Sequence, residues 1–148
     1  MSNHIHQIAR GICLRGNSIL LTFEKQQNYY FLPGGHVESG ESMTTALERE
    51  FMEELGIQVR CKDLIATFEH NWDNHGTLQH EINHVFYVEL INGDGGLQSQ
   101  VDHLSFSWLP ITKLTTLRFL PAQLLQTILE SISGATPPNL DSTLRKKL

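Results

Sequence analysis

Residues 42–55, SMTTALEREFMEEL, are the segment that most constrains the fold. The segment contains no Gly or Pro and is rich in helix-forming residues, so it predicts an α-helix. Glu41 and Ser42 stand where an N-terminal cap or a first-turn acid belongs, and Gly56 stands where a C-terminal cap belongs. The apolar residues recur at every fourth position and form one stripe that the helix must bury: Leu47, Phe51 and Leu55.

The same helix carries three acidic residues on one face, because Glu50, Glu53 and Glu54 are spaced i, i+3 and i+4. Like charges at this spacing repel one another, so the face is either fully solvated or built for a cation. Three features favour the cation: the face borders the apolar stripe, Arg49 precedes Glu53 by one turn, and a Pro-Gly-Gly loop with Glu41 leads into the helix. Such oxygen ligands suit a hard divalent ion of the Mg²⁺ type.

The rest of the chain predicts several strands and one further helix. Two β-rich runs within Ala9–Phe23 flank a hairpin turn at Gly16–Ser18. The other predicted strands are Tyr29–Leu32, Ile57–Val59, Leu64–Phe68, Ile82–Leu90 and Leu104–Leu109, the second helix is Pro121–Ile132, and Asn71–Gly76 and Asn92–Gly96 are predicted turns. Strand runs with two helices predict an α/β (α+β) domain in which a mixed β-sheet is sandwiched between helices.

Length and charge limit the classes of function. The chain has 148 residues, and we expect one domain over residues 1–133 followed by a polar tail, 134–148. The formal net charge of −5 disfavours strong nucleic-acid binding. No apolar run approaches the ~20 residues of a membrane span, and the N-terminus has no secretory pattern, so we expect a cytoplasmic protein without membrane contact.

Residues 80–84, HEINH, match the H-E-x-x-H pattern of zinc-dependent proteases, in which a helix brings both histidines to one ion. The β-rich run Val85–Val88 follows directly and favours a strand instead. In a strand, His80 and His84 would lie about 13 Å apart at ~3.3 Å per residue, with Glu81 on the opposite face. That geometry cannot hold one zinc ion. His84 is then either an ordinary strand residue or, if its face lines a cleft, a substrate contact.

Residues 35–57, GHVESGESMTTALEREFMEELGI, resemble the signature of the Nudix hydrolases, G-x5-E-x7-R-E-U-x-E-E-x-G-U, in which U is a bulky apolar residue. Phe51 and Ile57 fill the apolar positions, and Phe51 departs mildly from the usual aliphatic residue. The segments YFLPGG and FSWLP also resemble the family, so the likeness extends over about residues 5–130. The fixed positions are all filled at the correct spacing, by Gly35, Glu41, Arg49, Glu50, Glu53, Glu54 and Gly56.

This resemblance implies a Mg²⁺- or Mn²⁺-dependent hydrolase that cleaves a diphosphate linked to a nucleoside. By position, Glu50 and Glu54 would bind the metal, and Glu53 would bind it or support it. The backbone carbonyl of Gly35 is a further ligand in the family. Arg49 would orient the carboxylates, and Glu41 would act through water or by bracing the loop. The base that takes the proton from water would be Glu50 or an acid outside the box, and there we favour Asp102 over Glu81 and Glu89.

The resemblance also implies a small nucleotide as the substrate, and members of the family often form homodimers. Base recognition by aromatic stacking is expected, with Tyr30 and especially Trp72 as candidates among Tyr29, Tyr30, Trp72 and Phe106. The marks of the ADP-ribose and dinucleoside polyphosphate subfamilies are missing, which favours a nucleotide pyrophosphatase acting on nucleoside di- or triphosphate derivatives. The alternatives are an ADP-ribose or sugar-nucleotide pyrophosphatase, a nucleotide-binding module with weak catalysis, and the zinc protease.

Overall fold

The computed structural model describes residues 4–91, 96–134 and 140–142. These residues form eight strands, two α-helices and a short 3-10 helix, Ile111–Thr116. The strands are β1 (Ile5–Arg15), β2 (Ser18–Glu24), β3 (Tyr29–Phe31), β4 (Gly34–His36), β5 (Val59–Asn74), β6 (Thr77–Leu90), β7 (Leu104–Pro110) and β8 (Leu140–Ser142), and the helices are α1 (Met43–Leu55) and α2 (Ala122–Ile132).

The sheet is mixed and centres on β1. This strand pairs in parallel with β6 and antiparallel with β2 and β4. The strand order is β3-β2-β1-β6-β5-β8, with β4 paired to β1 and β7 paired to β2. The short strand β4 therefore runs beside β1 just before α1 begins, and it brings Gly34 and Gly35 next to Arg10 and Ala9.

The helices cover the two sides of this sheet, because alternate strand residues point to opposite faces. On one face, Leu47, Phe51 and Leu55 of α1 pack with Phe86 and Val88 of β6. On the other, Leu124 and Ile128 of α2 pack in a cluster that the strands complete with Ile12, Ile19, Leu21, Phe68 and Val85. The predicted sandwich of a mixed sheet between helices is confirmed.

Helix α1 begins and ends as its sequence predicts. The Ser42 side chain accepts a hydrogen bond from the Thr45 backbone N–H at 3.1 Å, which is an N-terminal cap. Gly56 takes the left-handed conformation, with φ 67°, and closes the C-terminus. These two caps fix where the helix begins and ends, and burial of the apolar stripe turns that stripe to the sheet and leaves the acidic residues along its border.

The long ribbon of β5 and β6 differs from the prediction. Ile57–Val59 and Leu64–Phe68 were expected as separate strands, but β5 is continuous from Val59 and is interrupted only by register shifts around Leu64. The predicted loop Asn71–Gly76 is mostly strand, because this segment pairs with β6 up to Asn74 and only the residues beyond it turn. Its polar composition reflects a two-stranded ribbon exposed near its tip.

Residues 80–84, HEINH, lie within β6, as the strand hypothesis required. In the C-terminal tail, residues 140–142 pair in parallel with β5, so part of the predicted tail adds a strand to the sheet. The rest of that tail, and residues 92–95 of the predicted turn Asn92–Gly96, fall outside the described residues. Among the residues that the structure describes, none of the helices has the length and apolar character of a membrane span.

Candidate functional site

Gly35 and Glu50 form the tightest junction of the site. A methyl group at position 35 would stand 2.5 Å from the Glu50 carboxyl carbon and 2.7 Å from each of its oxygens. Because only a hydrogen fills that space, the Glu50 carboxylate rests directly against the backbone of β4. The side chain is largely buried, with 14% of its surface exposed. The carboxylate and the adjacent backbone thus form a cradle at the border of α1.

Glu54 lies one turn further along α1, beside Glu50. Its Oε2 atom is buried and, among the residues that the structure describes, meets no hydrogen-bond partner. Burial, and then the neighbouring Glu50 carboxylate, raise the pKa of Glu54 to about 8, while Arg10 opposes the shift. An orphaned carboxylate oxygen next to a second carboxylate is a costly arrangement, and a bound cation would relieve it.

Arg49 holds the acids around this pair in place. Its guanidinium forks onto Glu41, with Nε–Oε2 at 2.7 Å and Nη2–Oε1 at 2.9 Å. It also donates to Glu50 and to Glu53, each at 3.1 Å, and to the carbonyl of His36. Hydrogen bonds from Arg49 lower the pKa of Glu41 to about 2. Glu41 also accepts the Glu38 backbone N–H at 3.1 Å, so it braces the loop that leads into α1.

These residues could bind a divalent metal of the Mg²⁺ type, but their side chains alone do not form a complete set of ligands. Among the described residues, no three His, Cys, Asp or Glu side chains are arranged to hold one ion. Glu53 is half exposed and turned to Arg49, whereas Glu50 lies against the backbone of Gly35 and interacts with the neighbouring Glu54. Two carboxylates, a backbone oxygen and water form a donor set that Mg²⁺ accepts, because this ion usually keeps several waters.

A cavity of about 880 Å³ opens on the α2 side of the sheet. Its volume falls in the range of about 300–1,000 Å³ that is typical of small-molecule sites. The aromatic part of its wall is formed by Tyr29, Phe31, His70 and Trp72, and the N-terminal end of α2 closes another side. Trp72 stacks on His70, with ring centroids 5.6 Å apart and planes 19° from parallel. Trp72 lines the cavity, and its role as a ligand-facing residue stays a prediction.

Polar residues of β1 and β6 cross the same cavity. Arg10 Nε donates to Asn83 Oδ1 at 3.4 Å, and Asn83 Nδ2 donates to Glu81 Oε1 at 2.9 Å. Arg10 also donates to the Leu32 carbonyl at 3.2 Å and lies over the Phe31 ring. Burial lowers the pKa of Arg10, and the acids around it, Glu81 first and then Glu54, oppose that shift. Arg10 therefore interacts electrostatically both with the Glu50–Glu54 pair and with Glu81 in the cavity.

Two predicted substrate contacts, Tyr30 and His84, lie away from the cavity, and the predicted base Asp102 lies in a loop. Tyr30 packs against Phe23 and the core, because β3 alternates and turns Tyr29 to the cavity instead. His84 lies on the α1 face of β6 and bonds Gln7 at 2.8 Å, whereas Glu81 and Asn83 on the opposite face line the cavity. Asp102 is exposed in the turn before β7, where its backbone carbonyl accepts from Lys25 at 3.1 Å.

Sequence reasoning missed Arg10 and Asn83, named Tyr29 only as one of four aromatic candidates, and gave Glu81 a minor place. One signal was available: a charged residue at position 10, inside an otherwise apolar strand, requires a buried partner. The alternation of β6 also places Glu81 and Asn83 on one face. Which face bears the cavity depends on the packing of α2, and no local pattern in β6 encodes it.

The chain matches the family model described as NUDIX domain over residues 5–128. An ADP-ribose pyrophosphatase of Methanocaldococcus jannaschii is 35% identical over 88 residues, which cover 57% of this chain and 50% of that protein. The chain spans about half the length of the curated relatives it matches.

Solved structures show the same fold. A MutT protein from Methanosarcina mazei Go1 is 20% identical and superposes with a TM-score of 0.72, covering 90% of this chain and 97% of that one. The Escherichia coli ORF135 protein is 26% identical, with a TM-score of 0.67 and coverage of 88% and 92%.

Proposed function

Because the chain belongs to the Nudix family, we propose that it is a metal-dependent hydrolase that cleaves the diphosphate linkage of nucleoside di- or triphosphate derivatives. The observation that carries the proposal is the Glu54 Oε2 atom, which is buried beside Glu50 and has no hydrogen-bond partner within the described part of the chain. A folded protein keeps such a carboxylate pair at a cost in stability, and cation binding explains why it is kept.

The carboxylate pair and the cavity would bind different parts of the substrate. The Glu50–Glu54 pair and the Gly35 carbonyl would hold Mg²⁺ or Mn²⁺, and the ion would neutralise the diphosphate and acidify water. The nucleoside would enter the cavity and stack on Trp72, as bases do on exposed aromatic side chains. Arg10 lies between the carboxylate pair and the cavity, where its guanidinium would donate hydrogen bonds to the anionic substrate. An acidic protein thereby recognises an anion locally, despite its net charge of −5.

The proposed reaction is a hydrolysis in which one water molecule is consumed for each diphosphate linkage that is cleaved. One water molecule attacks a phosphorus atom, the bond from that phosphorus to the bridging oxygen breaks, and the bridging oxygen leaves with the other phosphate. A carboxylate takes the proton of the water and passes it to solvent. Glu50, which Arg49 contacts and which rests against Gly35, is the first candidate for this base. Asp102, whose side chain is exposed, is the second candidate for the base.

A second substrate class is ADP-ribose or a sugar nucleotide. The relative from M. jannaschii is named an ADP-ribose pyrophosphatase, and this favours the class at 35% identity. A binding module without catalysis is disfavoured, since each charged position of the box is filled.

The test is a substrate panel read by its products. Purified protein with Mg²⁺ or Mn²⁺ is incubated with nucleoside triphosphates, ADP-ribose, sugar nucleotides, dinucleoside polyphosphates and capped RNA. The proposal predicts a nucleoside monophosphate as one product of the substrates that react. Absence of metal-dependent cleavage across the panel contradicts it. Zn²⁺-dependent peptide cleavage that requires His84 would support the protease alternative instead.

A further inference from the structure

Glu81 places an acidic group inside the aromatic-walled cavity. We infer that this carboxylate selects the nucleobase, and that it favours bases that offer N–H donors: guanine first, then cytosine and adenine, with uracil and thymine last. The inference rests on the proposed nucleotide site and names its preferred substrates.

The hydrogen bonds around Asn83 fix the direction in which Glu81 accepts. A guanidinium can only donate, so the Asn83 atom facing Arg10 must be its carbonyl oxygen. The Asn83 amino group is thereby turned to Glu81 Oε1. Asn83 is only 1% exposed, so a rotation of its amide would leave buried groups unpaired. Arg10, Asn83 and Glu81 thus form a chain of hydrogen bonds along the cavity, and this chain ends in the Glu81 carboxylate.

Glu81 keeps most of its acceptor capacity. In the part of the chain that the structure describes, its side chain takes one hydrogen bond, the one from Asn83. An ionised carboxylate offers about four acceptor positions. Arg10 does not use them directly, since Asn83 stands between the two charges. The ordinary alternative, that Glu81 only balances the charge of Arg10, does not account for a carboxylate that lines the cavity rather than contacting its counter-charge.

Stacking surfaces flank this carboxylate. His70 of β5 lies directly opposite Glu81 of β6 in the antiparallel register, and Trp72 stacks on His70 toward the tip of the ribbon. Tyr29 and Phe31 line the cavity as well, with ring centroids 5.6 Å apart. A base held by these rings presents its edge, rather than its face, to Glu81.

Base edges differ in what they offer to a carboxylate. Guanine carries two adjacent donors, the ring N–H and the exocyclic amino group, which match the two oxygens. Cytosine and adenine each offer an amino group beside a ring nitrogen that only accepts, so one bond forms. The N–H of uracil lies between two carbonyl oxygens, which the carboxylate repels. A site built for a hydrogen bond strongly disfavours analogues that leave it unmade.

The experiment measures kcat/KM for GTP, CTP, ATP and UTP with Mg²⁺, using the wild type, Glu81→Gln and a control, Glu89→Gln. Glu89 lies on the same strand but is exposed and pairs with Lys62. We expect the wild type to favour GTP over UTP by about 10-fold or more. In Glu81→Gln, the amide oxygen stays toward Asn83 and a donor turns to the base, so GTP should lose about 10- to 100-fold while UTP is spared.

Binding of GMP and UMP, measured calorimetrically, separates this inference from the proposed hydrolysis. If no nucleotide is cleaved but GMP binds more tightly than UMP, and Glu81→Gln removes the difference, the proposed reaction fails and the base site stands. If the wild type binds or cleaves all four bases equally, the inference is wrong, whether or not the variant folds. Equal loss for GTP and UTP in a folded Glu81→Gln also overturns it. The control should keep the wild-type ranking.

Discussion

The carboxyl group of Glu50 lies against the Cα of Gly35, so closely that a methyl group there would stand 2.5 Å from its carboxyl carbon. This contact ties α1 to β4, two elements whose connecting loop Glu41 and Arg49 brace. It holds one carboxylate against the backbone of β4, and Glu54 follows one turn along the helix.

Gly35→Ala should therefore displace the Glu50 carboxylate. We expect kcat to fall by about 100-fold or more, because a small misplacement of a metal ligand is costly. The helix core does not involve position 35, so the melting temperature should change little. Ser39→Ala, in the exposed part of the same loop, is the matched control. Wild-type kcat in a folded Gly35→Ala would show that Glu50 need not hold this position.

Glu54→Gln should stabilise the metal-free protein at alkaline pH. The pKa of Glu54 is raised from 4.5 to about 8, so between these values the folded state holds a proton that the unfolded chain has released. Stability is thus full below about pH 4.5 and falls as the pH rises toward 8. Removing the group should raise the free energy of unfolding by about 1–3 kcal/mol at pH 8 and little at pH 4.

Thermal or denaturant unfolding in EDTA at both pH values measures this difference. Glu89→Gln, which changes the same charge at an exposed site, controls for general electrostatics. Mg²⁺ should raise the melting temperature of the wild type more than that of Glu54→Gln, because a ligand stabilises only the state that binds it. A loss of stability in Glu54→Gln that is equal at both pH values would contradict the burial argument.

Arg49→Lys should lower kcat by about 10- to 100-fold with a small effect on KM, because lysine cannot reproduce the fork onto Glu41 while also reaching Glu50 and Glu53. Glu41→Gln should act through the same contact. The two changes combined should cost less than the sum of their separate effects, as a double-mutant cycle would reveal. Strictly additive losses would mean that Glu41 acts independently of Arg49.

Trp72→Ala should raise KM about 10-fold and leave kcat nearly unchanged, since stacking contributes about 1–3 kcal/mol per base. Trp72 is 39% exposed, so the substitution should spare the fold. Leu78→Ala, at an exposed position near the tip of the same ribbon, is the control and should leave KM unchanged. A normal KM in Trp72→Ala would place the nucleoside outside this cavity.

Local signals predicted the elements that frame the site. Helix α1 follows from its apolar spacing, and its ends follow from Ser42 and Gly56, which the structure confirms as caps. The hairpin of β1 and β2 follows from the turn at Gly16. These features need only neighbouring residues, so their sequence patterns are informative. The acidic face of α1 was equally readable, because its spacing depends on the helix alone.

The cavity could not be predicted in the same way. Tyr29 and Tyr30 are adjacent and chemically identical, and only the pairing of β3 with β2 decides which one faces the cavity. Glu81 and His84 likewise depend on the face of β6 that α2 leaves open. The polar sequence around Trp72 predicts a loop, but the segment is a strand near the exposed tip of the ribbon. Its polarity reflects this exposure, and its strand character depends on pairing with β6. Contacts that are distant in sequence decided each of these positions.

The most direct test of the central claim is the rate of nucleotide diphosphate hydrolysis as a function of Mg²⁺ concentration, in the wild type and in Glu54→Gln. Binding of the ion by Glu50 and Glu54 predicts saturable activation of the wild type. It also predicts a loss of about 1,000-fold in Glu54→Gln that added Mg²⁺ does not restore, comparable to losing a main transition-state contact. Glu89→Gln should match the wild type. Hydrolysis that is independent of Mg²⁺, or unchanged in a folded Glu54→Gln, would contradict the account.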